Sequence, residues 1–493
     1  MLETVLSFGS VTVFLFTFVL ALTVYHTVTR TRGSPPGPPL WPVIGNLHLV
    51  LRKDTRNMLR EMRNKYGDIF SLNIGYSHWI FINGYDVLKD MFVKNGDVTS
   101  ERPYLPALSN QGNPLGIVSS SGHQWTTYRK FTLCKLRYFG FGSIRIEKSI
   151  QQEVILCLQA IGSHNQEPFD IQDLFITSIS NIISLLLFNK RFDADDVSMK
   201  RIATNMSRSV ENVHGLWFLL FPFLRKLSWA LPLIETFGAE KHALGKLYNR
   251  HLSTYQDGVV RDFTDFCIQE QKKKKDNEDS LTELQCLGIM RDLYEAGTET
   301  TTTAMLWMLI HLIRQPEIQD RIRTEIDDVV GSDRLPSLLD RCKMPFTQAT
   351  IMEVLRLENV VPFAVPHKVE KDLMFGGYFF PKSAMLWLNL DSVVKDAGIW
   401  KDPEYFRPSR FLDEEGNLTK KEEFIPFSLG RRVCLGESMA MSMLFLFLTS
   451  MLQKFIFLPA SAEEMPVLDC VYGEFIHRPL SYKLRAVPRN LTI

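Results

Sequence analysis

One helix sets the scale of whatever this chain folds into. Ser280-Leu281-Thr282-Glu283 has the Ser-x-x-Glu pattern that satisfies free amide donors at a helix start. Helical patterning then runs to Gln315, where Pro316 disfavours continuation. At 1.5 Å per residue these turns reach roughly 50 Å, enough to cross a whole domain. The middle is poor helix material, because Ala296-Gly297-Thr298-Glu299-Thr300-Thr301-Thr302-Thr303 combines glycine with β-branched residues, and threonine hydroxyls can bend a helix by bonding back to carbonyls. A locally weak helix at the centre of a domain suggests a site; packing through small residues is the other reading the residues leave open.

A second stretch carries more chemistry. Phe427-Ser428-Leu429-Gly430-Arg431-Arg432-Val433-Cys434-Leu435-Gly436 sets one cysteine between two glycines and beside two arginines, just before the apolar run Met439 to Leu452. Cationic neighbours and a helix N-terminus both favour thiolate, so the pattern predicts a depressed thiol pKa, and thiolate is the form that binds iron. Taken alone, such a cysteine serves as readily as a small core hydrophobe.

The chain has 493 residues, 45% of them hydrophobic, enough for a large core and by length alone for several domains. With 56 basic and 55 acidic residues the formal charge is +1, so no global field recruits nucleic acid or an acidic substrate. Cys134, Cys157, Cys267, Cys286, Cys342, Cys434 and Cys470 are odd in number and scattered, without a Cys-x-x-Cys pair, which suits a reducing compartment. No charged side chain occurs from Thr4 to Thr29, a length that can span a bilayer core of about 30 Å. Glu3 precedes this run while Arg30 and Arg32 follow it, which predicts an uncleaved membrane anchor over residues 1–30 with the remainder on the cytosolic side. Residues 31–42, with Pro35-Pro36-Gly37-Pro38-Pro39, read as a stiff basic and proline-rich hinge.

Further on, Gly67, Gly75 and Gly84 punctuate β-prone segments such as Ile69 to Ile74 and Trp79 to Ile82, predicting a short hairpin. Thr99 to Gly122 reads as a long irregular loop of the kind that is often functional. Trp125 and Arg129 follow at i and i+4 on one helical face. The aromatic segment Val213 to Phe223, broken by Pro222, suits either a pocket roof or a membrane contact. Glu353 and Arg356 lie at i and i+3, a pairing that by itself is usually surface decoration.

Taken in order, these pieces resemble the cytochrome P450 family across essentially the whole chain. Phe-x-x-Gly-x-Arg-x-Cys-x-Gly resembles its haem-binding loop, Ala-Gly-Thr-Glu-Thr-Thr its oxygen-activation motif, Glu-x-x-Arg its structural pair and Asp402 to Phe411 its meander. Lys65-Tyr66-Gly67, Asn189-Lys190-Arg191-Phe192 and Pro366-His367 look most like the microsomal family 2 group of animals. Two residues depart from that group: Glu295 stands where a small neutral residue is usual, and Tyr294 where phenylalanine is common.

The resemblance implies a mainly α fold, one helical domain over residues 43–493 with small β-sheets, behind an N-terminal transmembrane anchor helix. It implies haem (iron protoporphyrin IX) as cofactor, with Cys434 as axial ligand and Arg102, Trp125, Arg129, His367 and Arg432 on the propionates. Glu299 and Thr300 would govern proton delivery during dioxygen activation, and Glu353, Arg356 and Arg410 would form a structural charge network. Tyr294, Ala296, Val361, Phe363, Val365 and Phe475 would wall a mostly apolar pocket, pointing to a lipophilic substrate such as a fatty acid, steroid or xenobiotic. NADPH would act indirectly through a membrane-bound NADPH–cytochrome P450 reductase, docked near Lys130, Lys135, Arg137 and Arg431, with cytochrome b5 as a second partner. The expected location is the endoplasmic reticulum membrane, with the catalytic domain on its cytosolic face. Two other readings remain: a reductase-independent haem-thiolate isomerase or dehydratase of lipid peroxides, and a non-catalytic membrane-tethered haem or lipid binder. The Glu299-Thr300 pair favours the monooxygenase, because peroxide rearrangement does not need that proton route.

Overall fold

The structure, a computed structural model, describes residues 12–21, 33–41, 44–51, 54–75, 77–104, 109–110, 113–193, 196, 231–273, 281–382, 384–471 and 476–489. Residues 12–21 are helical, and no helix among the described residues is long and apolar enough to cross a membrane. Most of the expected anchor, the aromatic segment Val213 to Phe223, Ser280 and Phe475 lie outside the described residues.

The helices that position the site are, in order, α1 (Thr55–Tyr66), α2 (Gly122–Tyr138), α3 (Glu147–Ser163), α4 (Gln172–Phe188), α5 (Leu231–Thr254), α6 (Phe263–Lys273), α7 (Glu283–Arg314), α8 (Pro316–Val329), α9 (Pro345–Glu358) and α10 (Glu437–Lys454). Helix α7 has 32 residues and so spans about 48 Å. It packs on α4, α5, α6, α8, α9 and α10, which makes it the spine of the molecule. Helices α3, α4, α7, α9 and α10 bury the largest core, with Phe175, Ile179 and Ile182 of α4 meeting Met305, Trp307 and Leu309 of α7 and Phe445 and Leu448 of α10. Gly297 sits at the α4 contact, where an added Cβ would come 3.1 Å from Ile183 Cδ1. The glycine in the weak stretch therefore serves close helix packing, the bland alternative that the residues had left open.

The start of α7 differs from the sequence expectation. Its N-cap is Thr282, whose hydroxyl accepts from Gln285 N at 3.2 Å. Its C-terminal boundary lies at Arg314, with Gln315 capping it and Pro316 opening α8.

The hairpin forms as expected: β1 (Ile69–Ile74) runs antiparallel to β2 (Ser77–Ile82), with Leu72 opposite Trp79. Two later strands extend this sheet. β3 (His367–Lys368) pairs antiparallel with β4 (Met385–Leu388), and β4 lies parallel to β2. This brings the edge residue His367 back beside the N-terminal part of the chain. The proline-rich stretch is not a free spacer, since Ser71 donates from N to Pro36 O (2.7 Å) and from Oγ to Pro35 O (2.8 Å). β5 (Phe455–Pro459) and β6 (Leu484–Pro488) close a separate antiparallel pair after α10.

If Thr282 is the working cap, Thr282→Ala lowers stability by about 1 kcal/mol. The midpoint of chemical denaturation measures this, and an unchanged midpoint places the cap elsewhere.

Candidate functional site

The Cys434 loop enters α10 along a path only glycine permits at residue 430. Gly430 has φ +75°, and a Cβ there would collide with the carbonyl oxygen of Phe92. Cys434 N donates to Phe427 O at 3.0 Å, and Gly436 N donates to Cys434 Sγ at 3.3 Å. Cys434 keeps accessible surface between half-buried neighbours. Its thiol pKa is raised, which corrects the expectation of a depressed one. Burial among protein atoms is the main cause, and Glu437 in the first turn of α10 adds to it. The Gly436 amide and Arg129 act the other way without prevailing. The adjacent arginines do not govern the thiol because Arg432 is turned toward other partners.

Those partners define a cradle. Arg432 is 8% exposed and donates from Nε to Ser100 O (2.9 Å), from Nη1 to Ile117 O (3.2 Å) and from Nη2 to Ser120 O (2.6 Å). Its guanidinium carbon lies 4.0 Å from the Trp125 ring centroid, with those of Arg431 and Arg129 at 5.7 and 5.8 Å. Arg129 Nη2 also donates to Val433 O at 2.6 Å, tying α2 to the residue before the cysteine. Arg102 donates from Nε to Val118 O (3.0 Å) and from Nη1 to Val365 O (2.6 Å) and Pro366 O (2.9 Å). His367 is buried and its Nδ1 meets Thr99 O at 2.8 Å; a carbonyl only accepts, so Nδ1 carries the hydrogen.

These groups repel one another. Burial, then Arg129, pushes Arg102 down to about 9; burial, then Arg102, pushes Arg432 down to about 8. Burial, then Arg102, holds the His367 imidazole well below its usual range. Both guanidiniums are still cationic at pH 7, and Glu101 relieves Arg432 in part. Trp125 Nε1 is buried and has no hydrogen-bond partner among the described residues. One buried and two half-buried guanidiniums with Glu101 as their partial relief, beside an orphaned N–H, fit a ligand that brings carboxylates.

Sequence reasoning missed what holds the cradle in place. Asp292, 6% exposed on α7, accepts at Oδ2 from Ile117 N (2.7 Å) and Val118 N (2.9 Å), while Arg291 Nη2 occupies Oδ1 (2.9 Å). One and two turns earlier, Gly288 and Gln285 lie on the same face. Gln285 accepts from Gly116 N (3.0 Å) and donates to Pro114 O (3.0 Å). A Cβ on Gly288 would stand 2.7 Å from Gly116 N, and one on Gly116 (φ +76°) would strike Asp292, so both glycines are required for the approach. The signal was present in the sequence as a charged pair, Arg291-Asp292, inside an otherwise apolar stretch.

On the same helix, Ala296 is exposed, with Leu293 and Thr300 half-buried beside it, and the Thr300 hydroxyl donates to Ala296 O at 2.6 Å. Glu299 and Glu295 are buried, at 5% and 8% exposure. Tyr294 does not share the face of Ala296. Two residues apart on a helix means a rotation of about 200°, and Tyr294 packs against α4 beside Ser180 and Ser184. Phe363 likewise turns into the core of the sheet with Trp79, Phe81 and Trp387, while Val361 and Val365 remain half-buried. Of the basic residues, Lys130, Arg137 and Arg431 are exposed, and Lys135 lies 4.4 Å over the Phe266 ring.

Behind the cradle, Glu353 and Arg356 are fully buried and paired through two bonds, Nε to Oε2 at 2.7 Å and Nη2 to Oε1 at 3.0 Å. Arg410 Nε adds a third contact to Oε1 at 2.8 Å. Arg356 also reaches Val394 O and Pro403 O, and Arg410 reaches Lys401 O, Asp402 O and Tyr405 O.

A helical domain that holds an accessible cysteine near a cluster of buried and half-buried guanidiniums has the makings of a haem-thiolate protein. The family model for cytochrome P450 matches residues 35–486. Cytochrome P450 2D4 of Rattus norvegicus is 35% identical over 97% of this chain and 98% of its own length. Cytochrome P450 2U1 of Homo sapiens is 35% identical over 90% and 87%, and cytochrome P450 2H1 of Gallus gallus 32% identical over 95% and 96%. The chain belongs to the cytochrome P450 family. It is therefore a haem-dependent monooxygenase, an oxidoreductase of a family supplied with NADPH electrons through a reductase.

Removing one member of the buried Glu353 group leaves two uncompensated guanidiniums, so Glu353→Ala costs about 3–5 kcal/mol. The loss is read as a lower denaturation midpoint and a smaller yield of haem-loaded protein; a wild-type midpoint contradicts it.

Proposed function

We propose that this chain oxygenates a lipophilic small molecule, a fatty acid, steroid or xenobiotic, at a haem ligated by Cys434. The observation that carries the reading is the cluster of guanidiniums, Arg432 buried and Arg102 and Arg129 half-buried, around Trp125 Nε1, which has no partner among the described residues, close in space to an accessible cysteine. Arg102, Trp125, Arg129 and Arg432 hold the haem carboxylates, and His367 joins them where a carboxylate at Nε2 draws a second proton onto the ring, its Nδ1 being committed to Thr99 O. When bound, the haem supplies dioxygen activation, for which a thiolate ligand is suited because it favours O–O cleavage. Coordination to the metal deprotonates the thiol outright, so its raised pKa is no obstacle.

Thr300 offers a hydroxyl that now bonds its own helix at Ala296 O and can turn to relay a proton from ordered water. Glu299, buried one residue before it, supplies and replenishes that proton. Ala296 presents a small apolar surface to substrate, with Val361, Val365 and Phe475 as further wall, and this favours an apolar ligand over a charged one. The exposed basic residues Lys130, Arg137 and Arg431 suit the acidic face of the reductase, and cytochrome b5 is proposed for the same side. The anchor, hinge and catalytic domain are taken over residues 1–30, 31–42 and 43–493, placing the chain on the cytosolic face of the endoplasmic reticulum.

Cys434→Ser abolishes the carbon monoxide difference spectrum of the thiolate-ligated form while haem uptake is reduced or lost. Thr300→Ala keeps that spectrum but uncouples NADPH consumption from product, with peroxide released instead. Full coupling in Thr300→Ala refutes the proton role. Product formation from a lipid and drug panel with reductase present identifies the substrate, and product without NADPH would favour peroxide rearrangement.

A further inference from the structure

Away from the cradle, α9 ends on Glu358, which is 6% exposed and carries one imidazole on each carboxylate oxygen. His311 Nε2 of α7 meets Oε1 at 2.5 Å, and His477 Nε2 meets Oε2 at 3.0 Å. Burial raises the Glu358 pKa, but hydrogen bonds from His311 and His477 outweigh it and hold the carboxyl well below the usual range. The group is therefore an ionised acceptor, and both Nε2 atoms carry hydrogens.

Each partner is fixed by further contacts. His311 stacks on Phe406 with ring centroids 4.3 Å apart. His477 stacks on Trp307 at 5.0 Å, accepts from Trp307 Nε1 at its carbonyl (2.7 Å) and donates from its amide to Val360 O (2.8 Å). Arg56 of α1 donates from Nη2 to the Glu358 carbonyl at 3.2 Å and to Asp391 Oδ1 at 3.0 Å.

The location gives the cluster its meaning. Ala296, Thr300, Trp307 and His311 are spaced 4, 7 and 4 residues apart on α7 and so share one face. Glu358 immediately precedes the segment that carries Val361 and Val365, and His477 holds the start of that segment through Val360 O. Replacing a buried ion group by well-packed apolar side chains of similar volume is often neutral for stability, so burial alone does not account for a polar trio here. What a fully bonded polar trio adds is a single allowed arrangement of three segments.

We infer that Glu358, bridging His311 and His477, is a positioning residue that sets the shape of the substrate pocket by locking its 360–365 wall to α7. The inference rests on the proposed reading that residues 360–365 line that pocket.

The test uses haem-loaded full chain and two nitrogen ligands read by their spectral shift: imidazole, which needs only the haem, and a bulky diaryl-imidazole, which needs the walls. In H311F/E358L/H477F the affinity for imidazole stays within about twofold and that for the bulky ligand falls about fivefold or more. Glu358→Gln, which can accept from one imidazole and donate to the other, holds both near wild type. Unchanged affinity for the bulky ligand in the triple variant overturns the inference, as does an equal fall for both ligands. If the triple variant gives no holoprotein, His477→Asn decides in the same way, since it leaves the Glu358 and His311 pair intact. Val361→Phe checks the underlying wall separately. If it alone loses the bulky ligand, the wall stands and the inference fails; if it loses nothing, the wall reading fails.

Discussion

The short turn Gly116–Ser120 is the piece on which the site depends, because it is polarised from both sides. Its amides at Ile117 and Val118 point to the Asp292 carboxylate, while its carbonyls at Ile117, Val118 and Ser120 point to Arg432 and Arg102. An anion at one end and cations at the other strengthen each peptide hydrogen bond in a low-dielectric setting. Arg432 is two residues from Cys434, and Asp292 is one turn from Ala296. The turn thus fixes the distance between the part of α7 around Ala296 and the loop that carries the cysteine. Neither the helix nor the loop could be placed so firmly by apolar packing, which is indifferent to small slides.

The same logic recurs wherever α9 meets its neighbours. Its interior Glu353 and Arg356 collect the carbonyls of residues 394 and 403 and the side chain of Arg410, and its last residue Glu358 collects two histidines. Helices α4, α7 and α10 bury long apolar faces that supply most of the driving force for folding. The buried charges add little to that sum and can subtract from it. They sit at the junctions of elements, where register matters and where irregular chain leaves carbonyls that need donors.

How much of this was legible beforehand varied with the distance over which the cause acts. The hairpin, the long helix and its end at Pro316 follow from local rules of turn chemistry, periodicity and proline sterics, and they lie where those rules put them. Tyr294 was grouped with Ala296 by closeness in the chain, although helical period sets the two about 200° apart. The cap at Thr282 lies two residues from the expected one because Ser-x-x-Glu and Thr-x-x-Gln both fit the same four-residue frame. The thiol pKa was misjudged because adjacency in sequence says nothing about where a long side chain turns; Arg432 reaches away to the 100–120 segment. The tie between Asp292 and residues 117–118 spans 175 and 174 positions, and no local pattern encodes a contact of that range.

The perturbed groups share a direction. Burial favours a neutral Cys434, and burial with mutual repulsion disfavours charge on Arg102, Arg432 and His367. The Arg102 and Arg432 shifts mark a cost that the folded protein carries on its own at pH 7, where both stay charged, whereas the Cys434 thiol is neutral there with or without its shift and the cost falls on making it a thiolate. On the proposed reading haem would offset these costs, its iron taking the thiol as thiolate and its carboxylates pairing with the cations. A site strained in this sense binds its cofactor more tightly than a relaxed one by the amount of strain relieved. Because that relief is available only to the folded chain, cofactor affinity and stability are one quantity seen from two sides.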